Sequence, residues 1–162
     1  MSPKLTICIE KEDKPANMPD YMTIIKKSFE ELPRQRTATN ISGVKLDLDQ
    51  TSDGDVSSIW VKFGVQVAMS AAKTQDYVAH YLESHGITTV RAPRLYSAFT
   101  YGAEGFIVTE FIDGQICTDA DARLVAAAVQ SLIKIPSPST TPGPGPCGGG
   151  LMEHPFFIDR MS

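Results

Sequence analysis

The sequence predicts an α+β fold in which a small antiparallel sheet packs on helices. Segments whose apolar residues recur at helical spacing alternate with pairs of short strands, and a turn-forming segment joins the two strands of each pair. The resulting order is helix, hairpin, helix, hairpin, helix, without an internal repeat. At 162 residues, the chain has the length of one domain and can bury a core without disulfides or a metal.

Composition excludes several classes of protein. With 42% hydrophobic and 21% charged residues the chain is typical of a globular protein, and its net charge of −4 argues against nucleic acid or an anionic membrane surface as a partner. Leu5–Ile9 is too short for a signal-peptide core, and Leu124–Val129 is too short to span a membrane. Cys8, Cys117 and Cys147 lack CxxC spacing, so we expect free thiols and a cytoplasmic protein.

Residues 1–38 are predicted to form an N-terminal extension with one amphipathic helix. Asp20 can cap the first turn of this helix, and Pro33 ends it. The apolar residues that recur at helical spacing, and so define its apolar side, are Met22, Ile25, Phe29 and Leu32.

Residues 39–135 are predicted to form the sheet and its helices. In the first hairpin, a strand from Ile41 to Leu48 precedes the strand Ile59–Phe63, and the acidic segment 49–55 with its Asp-Gly pair forms the tip. A helix over 67–85 follows, and Gly86 lies where a left-handed residue ends a helix. One side of that helix carries Ala71, Thr74, Val78, Tyr81 or Leu82, and His85.

A second hairpin and a last helix complete this region. The strands Arg94–Tyr101 and Glu104–Phe111 are joined by a tight turn at Gly102-Ala103, and Thr118 with Asp121 predicts the start of a helix. The residues that this helix is expected to bury are Leu124, Ala127 or Ala128, Leu132 and Ile135. A Pro/Gly-rich linker is predicted at 136–150, and the apolar C-terminal tail, 151–162, is expected to fold back onto the domain.

Five motifs, in this order, resemble those of one known family. They are Ile59-Trp-Val-Lys-Phe-Gly64, Val90-Arg-Ala-Pro-Arg-Leu-Tyr96, Gly105-Phe-Ile-Val-Thr-Glu-Phe-Ile-Asp-Gly114, Ile135-Pro-Ser-Pro with the Pro/Gly run 142–150, and His154-Pro-Phe-Phe157. Over residues 40–160 the chain resembles the N-terminal lobe of the fungal aminoglycoside phosphotransferase-like (protein-kinase-like) family. The resemblance implies a kinase-like N-lobe.

The resemblance also implies roles for individual residues. Lys62 matches the strand lysine that orients nucleotide phosphates, and Glu110 to Ile112 match the hinge whose backbone holds adenine. In that family the catalytic base and the metal-binding residues lie in a C-terminal lobe. Because this sequence ends at Ser162, we expect a lobe truncated before those residues.

Two departures from the family argue against kinase chemistry. Ala71 stands where the family has the helix glutamate that pairs with the strand lysine. The first hairpin, which in the family covers the phosphates, has one glycine, Gly54, and four carboxylates that would repel a triphosphate: Asp47, Asp49, Asp53 and Asp55. We therefore do not expect a functional phosphotransferase.

Other candidate sites have less support. The run Asp49-x-Thr51-x-Asp53-Gly54 resembles the start of an EF-hand loop, but the twelfth position is Trp60 instead of glutamate, so no metal is expected. Cys117 has no spacing that brings it to a histidine, and we expect it to be inert. His154 and the adjacent Glu153 offer an acid/base pair near the aromatic surface of two phenylalanines. The alternative is that His154 has a purely structural role.

Two functions from different classes follow. In the first, a repurposed kinase-like scaffold binds an apolar small molecule in fungal specialised metabolism. It then catalyses a cofactor-independent cyclisation or isomerisation, of the pericyclase or cyclase type, with Lys62 stabilising developing charge. In the second, a pseudokinase binds a nucleotide or a partner without catalysis. A gene fragment without activity is a third alternative.

The ligand and partner predictions follow from the same resemblance. The ligand-binding candidates are Lys62, Glu110, Ile112 and His154, and no cofactor is expected. An N-terminal lobe without its second lobe exposes apolar surface, which soluble monomers rarely tolerate. We therefore expect a homodimer, with residues 151–158 as part of the seam.

Overall fold

A computed structural model describes residues 2–31, 42–49, 56–138 and Cys147. Its strands are β1 (Leu5–Glu10), β2 (Ser42–Asp47), β3 (Ser58–Gly64), β4 (Leu95–Tyr101) and β5 (Glu104–Glu110). Its helices are α1 (Tyr21–Glu31), α2 (Met69–Ser84) and α3 (Ala122–Ile133), the last preceded by a 3₁₀ turn at Asp119–Asp121. The predicted α+β fold, a small antiparallel sheet packed on helices, is confirmed.

The five strands form one antiparallel sheet in the order β1-β4-β5-β3-β2. Both predicted hairpins are present: Asp47 pairs with Ser58 in β2–β3, and Phe99 pairs with Phe106 in β4–β5. Gly102, in the turn of the second hairpin, has a φ of +62°, which a residue without a Cβ adopts at no steric cost. Residues 50–55 of the first hairpin's acidic tip lie outside the described residues.

One edge of the sheet is a strand that the sequence analysis did not assign. Leu5–Ile9, considered above only as a signal-peptide core, lies in β1, which pairs with β4 from Leu5 opposite Tyr101 to Glu10 opposite Ser97. A short apolar run has no decisive periodicity of its own, so its pairing with a distant strand sets its conformation. Segment 1–38 therefore contributes a strand to the sheet as well as α1.

Helix α1 packs on one face of the sheet and completes the larger core. Asp20 caps it as predicted, since its carboxylate accepts hydrogen bonds from the backbone N–H groups of Met22 (2.9 Å) and Thr23 (3.0 Å). Ile25 is buried as predicted, but Met22 is half exposed, and Ile24 and Ser28 are buried instead. The strand residues of this core are Val44, Leu46, Ile59, Val61, Phe63, Tyr96, Phe99, Phe106 and Val108.

Helix α2 covers only part of the opposite face. Its buried residues are Ala72 and Leu82. The predicted buried side, which began at Ala71, is therefore wrong, although Leu82 had been named as an alternative to Tyr81 on that side. Ala72 belongs to a smaller core with Val67, Leu95, Ala98 and Ile107. Because the strand residues of this core belong to β4 and β5, the described helices leave the same face of β2 and β3 uncovered. Gly86, with a φ of +61°, ends the helix as predicted.

Helix α3 begins as predicted but does not pack as predicted. The backbone N–H of Thr118 donates to the Asp121 carboxylate (2.9 Å), as in a capping box. The predicted burial is wrong, since α3 has no buried residue and Leu124 is 71% exposed. The structure describes the linker only to 138 and at Cys147, and the tail 151–162 lies outside the described residues.

Across residues 2–31, 42–49 and 56–138, no helix combines the length and the apolar character needed to cross a membrane.

Candidate functional site

Lys62 lies on the face of the sheet that α2 partly covers. On β3 it stands opposite Gly43 of β2 and Ile107 of β5, and Ile107 belongs to the core beneath α2. Residues paired across antiparallel strands share a face, so Lys62 is on the same side. Its side chain is partly buried, and within the described residues it forms no ion pair.

Five residues form what we call the open sheet face: Gly43, Lys45, Trp60, Lys62 and Phe111. The ring centroids of Trp60 and Phe111 are 6.4 Å apart, and Lys45 Nζ lies 4.8 Å from the Phe111 centroid. Trp60 is 37% exposed. The open sheet face thus presents two neighbouring aromatic rings, the Lys45 ammonium beside one of them, and Lys62 on the same side of the sheet.

The Lys45 ammonium contacts both a carboxylate and an aromatic ring. Its Nζ lies 3.0 Å from a carboxylate oxygen of Asp47, and Ser58 Oγ donates to that carboxylate at 3.2 Å. Lys45, as hydrogen-bond donor, is the main cause that holds the pKa of Asp47 below its ordinary value. The ion pair with Lys45 therefore offsets the charge of Asp47, one of the four carboxylates expected at this hairpin.

Glu110, the first residue of the predicted hinge, is held by the segment before β4. Its side chain forms an ion pair with Arg91 and accepts a long hydrogen bond (3.4 Å) from the Arg94 backbone N–H. Its own N–H donates to the Arg94 carbonyl at 2.9 Å, and its carbonyl accepts from the Thr109 hydroxyl at 3.2 Å. Both backbone groups of Glu110 thus have partners, whereas the Ile112 side chain, just beyond β5, is exposed.

Glu110 also lines a cavity of about 300 Å³ at the end of the sheet. Apolar side chains of α2 and of the segment that follows it, Leu82, Ile87 and Val90, line this cavity together with Arg91. Lys62 is opposite Ile107, three residues before Glu110, which is about 10 Å along the strand. The structure therefore does not bring Lys62 and Glu110 together, and His154 lies outside the described residues.

The aromatic half of the open sheet face was missed by sequence reasoning. Residues on a strand alternate between faces, so Trp60 and Lys62 share one face while Ile59, Val61 and Phe63 share the other. That alternation was visible in the sequence, so Trp60 could have been named as a candidate site residue together with Lys62. The contacts of Lys45 and Phe111 could not be found in this way, because they depend on cross-strand register and on the path of the chain after β5.

The remaining polar candidates that the structure describes do not form a site. Within the described residues, no three His, Cys, Asp or Glu side chains cluster as metal ligands do. Cys117 is an exposed free thiol. The His85 ring stacks on Tyr81 at a centroid distance of 4.0 Å, and its Nδ1 lies 2.9 Å from the Tyr81 carbonyl, which is an end-of-helix contact.

Comparison of the chain with protein-family models, with curated proteins and with solved structures gave no match. The kinase-like resemblance therefore depends on the motifs of the sequence itself and stays a prediction.

Proposed function

We propose that the chain is a kinase-like scaffold without phosphotransferase activity, whose open sheet face binds an apolar, aromatic small molecule. The observation that carries this proposal is the ring pair of Trp60, which is 37% exposed, and Phe111, with Lys45 against the Phe111 ring and Lys62 on the same face. Two aromatic side chains that lie together on one face of the sheet, one of them 37% exposed, form a surface on which an apolar ligand can pack. The proposal is also supported by Ala71, which cannot supply the carboxylate that kinase chemistry needs.

The chemistry of the open sheet face fits a planar ligand with a polar or anionic group. Stacking of a ligand ring on the two aromatic side chains contributes about 0.5–1.5 kcal/mol beyond area burial, and a lysine can hold a carboxylate or an enolate oxygen. In a catalytic form of the proposal, the Lys62 ammonium stabilises negative charge that develops as the bound ligand cyclises or isomerises. This step needs no cofactor.

A nucleotide is the alternative ligand, as in a pseudokinase. Lys62 favours it, since a lysine that forms no ion pair with any described residue is available to a phosphate. The backbone N–H of Glu110 disfavours it, because this donor already bonds to the Arg94 carbonyl and is not available to adenine.

Trp60 is the one tryptophan of the chain, so its fluorescence reports directly on the open sheet face. Anilinonaphthalene sulfonate, an apolar aromatic anion, is expected to quench it in a saturable way with a dissociation constant of about 100 μM or lower. Phe111→Ala should weaken this binding at least about fivefold, since a stacked ring is lost. Ile116→Ala, a comparable truncation at an exposed position, is the control. Equal binding by both variants would contradict the proposal.

The same fluorescence signal separates the two ligand classes. Titration with MgATP tests the pseudokinase alternative, with Lys62→Ala as the variant and Lys26→Ala, on α1 across the sheet, as the control. Quenching by MgATP that only Lys62→Ala abolishes would make a nucleotide the ligand. Quenching by the naphthalene probe, without a response to MgATP, supports the apolar ligand.

A further inference from the structure

The cavity beside Glu110 combines apolar and charged side chains. Its larger apolar residues come from α2 and from the segment that follows it, and they are Leu82, Ile87 and Val90. Its charged residues come from α2, from that segment and from the ends of two strands, and they are Glu83, Arg91, Arg94 and Glu110. At about 300 Å³ the cavity is at the lower end of the roughly 300–1,000 Å³ of small-molecule sites, so it suits a small metabolite.

The charged residues of the cavity form two ion pairs. Arg91 contacts Glu110 at the end of β5, and Arg94 Nη2 lies 3.2 Å from a carboxylate oxygen of Glu83 on α2. Each contact uses one nitrogen of a guanidinium that has five N–H donors, so both arginines keep donors that no described residue accepts. The side chains of Arg91, Arg94 and Glu83 are more than half exposed. Exposed ion pairs contribute little to stability, so a ligand can exchange with them at low cost.

The described residues of the linker lie on the other side of α2 from this cavity. The Pro136 carbonyl accepts a hydrogen bond from the Tyr77 hydroxyl at 2.7 Å, and the Cys147 N–H donates to the Thr74 hydroxyl at 3.0 Å. Ala79 lines the cavity, and at 3.6 residues per turn it is about 160° around the helix from Tyr77 and about 140° from Thr74. These linker residues therefore leave the cavity accessible.

The charges around the cavity fit a ligand that carries both signs. Two guanidiniums and two carboxylates line it, so these four groups have no net charge. An anion would lie near the two glutamates and a cation near the two arginines, which are repulsive contacts. A zwitterion instead offers each group a partner of the opposite sign. An α-amino acid with an apolar side chain joins such a charge pair to a group that can pack on the apolar residues.

We propose that this cavity is a binding site for an α-amino acid with an apolar side chain. The ligand carboxylate accepts hydrogen bonds from Arg91 and Arg94, since a guanidinium matches a carboxylate with two parallel N–H groups. The ligand ammonium donates to Glu110, whose side chain is only 23% exposed, so water screens this contact less than the others. The ligand side chain packs against Leu82 and Ile87. The site is separate from the open sheet face and does not depend on the function proposed for that face.

Backbone amide chemical shifts of the isotope-labelled chain test the site with three matched probes. L-Phenylalanine should shift the amides between residues 79 and 94 and that of residue 110 in a saturable way, with a dissociation constant of about 1 mM or lower. Hydrocinnamate lacks the ammonium and phenethylamine lacks the carboxylate, so each should bind at least about fivefold more weakly. Three results would overturn the proposal: no saturable shift with phenylalanine, shifts confined to the open sheet face, or an analogue that binds as tightly as phenylalanine.

Substitution of Glu110 separates charge recognition from apolar packing. Glu110→Gln keeps the shape of the side chain and removes its charge, so phenylalanine should bind at least about fivefold more weakly and hydrocinnamate more tightly. Glu104→Gln, the same change at the other end of β5, is the control and should leave both affinities unchanged. Weaker binding of both probes to Glu110→Gln, or the same affinities in the two variants, contradicts the proposal. Circular dichroism checks the folding of both variants, and the comparison of the three probes on the wild type decides the case without them.

Discussion

The indole of Trp60 occupies the space that a side chain on Gly43 would need. A Cβ at residue 43 would lie 2.2 Å from Cζ2 and 2.9 Å from Cε2 of this ring. Gly43 is on β2, diagonally across from Trp60 on β3, whose direct partner is Lys45. The glycine therefore lets the indole lie flat across the edge strand, which fixes the ring on the open sheet face.

Gly43→Ala is expected to displace the indole without unfolding the domain. The clash is with a partly exposed side chain that can rotate away, and alanine in place of glycine stabilises a strand by about 0.5–1 kcal/mol. The lost ring contacts cost about as much, so the free energy of unfolding should change by less than about 1 kcal/mol. Trp60 emission should shift to the red, and quenching by acrylamide should increase.

Gly114→Ala is the matched control, since nothing lies within 4 Å of a Cβ at that position. It should leave the emission spectrum unchanged. An unshifted spectrum in Gly43→Ala would mean that the indole does not depend on this glycine.

Gly105→Ala is expected to destabilise the chain strongly. A Cβ at this position of β5 would lie 2.0 Å from the Val67 carbonyl oxygen and 3.2 Å from Met69 Cε. Unlike the Trp60 ring, a backbone carbonyl beside a buried residue cannot rotate away, so the strand and the α2 entry must separate. We expect a loss of about 3 kcal/mol in the free energy of unfolding, measured by urea denaturation with circular dichroism. A loss no larger than that of Gly114→Ala would contradict this packing.

The elements of the fold could be predicted from local sequence, but their packing could not. Strand alternation, the turn at Gly102 and the cap at Asp20 each involve neighbours in sequence, and each is present. The rotation of α1 and α2 depends on contacts with the sheet, which put Ile24 and Ala72 inside instead of Met22 and Ala71. The apolar pattern of α3 predicted burial, but burial depends on tertiary contacts, and the structure leaves these residues exposed.

For the candidate site, too, the local features could be predicted from sequence and the tertiary contacts could not. The strand position of Lys62 followed from periodicity, and its face follows from the pairing with Ile107. The ties that hold Glu110 could not be predicted, because they depend on how the segment 87–94 returns to the sheet and places Arg91 beside it. Long-range register and loop path are properties of the whole chain and leave no local signature.

Asp20 is expected to make the stability of α1 depend on acid pH. The Thr23 hydroxyl, followed by the backbone N–H of the same residue, holds the pKa of Asp20 below its ordinary value of 3.8. Because the folded-state pKa is depressed, the stabilisation is present above pH 3.8 and is lost as the pH falls through the folded-state pKa. Asp20→Asn keeps a capping oxygen but does not titrate. The Tm advantage of the wild type over this variant should therefore shrink as the pH is lowered through 3.8 and further towards the folded-state pKa. An advantage that is constant over this range would exclude the role of the carboxylate.

Tyr21 is expected to make the domain sensitive to alkaline pH. Its ring packs edge-on against Phe99 with a centroid distance of 4.8 Å, and burial, followed by the nearby Glu10 carboxylate, raises the pKa of Tyr21 to about 12. The folded-state pKa lies above the ordinary value of 10.0, so stability is complete below pH 10 and falls as the pH rises towards 12.

Tyr21→Phe keeps the ring contact and removes the ionisable group, so its unfolding free energy should fall less steeply than that of the wild type between about pH 10 and about pH 12. Burial also raises the pKa of Tyr96, but that residue is present in both proteins and cancels in the comparison. Urea unfolding of the two proteins at stepwise increasing pH measures the difference. If the two stability curves stay parallel through this range, the Tyr21 hydroxyl ionises in the folded chain as easily as in the unfolded one, and its burial against Phe99 does not hold in solution.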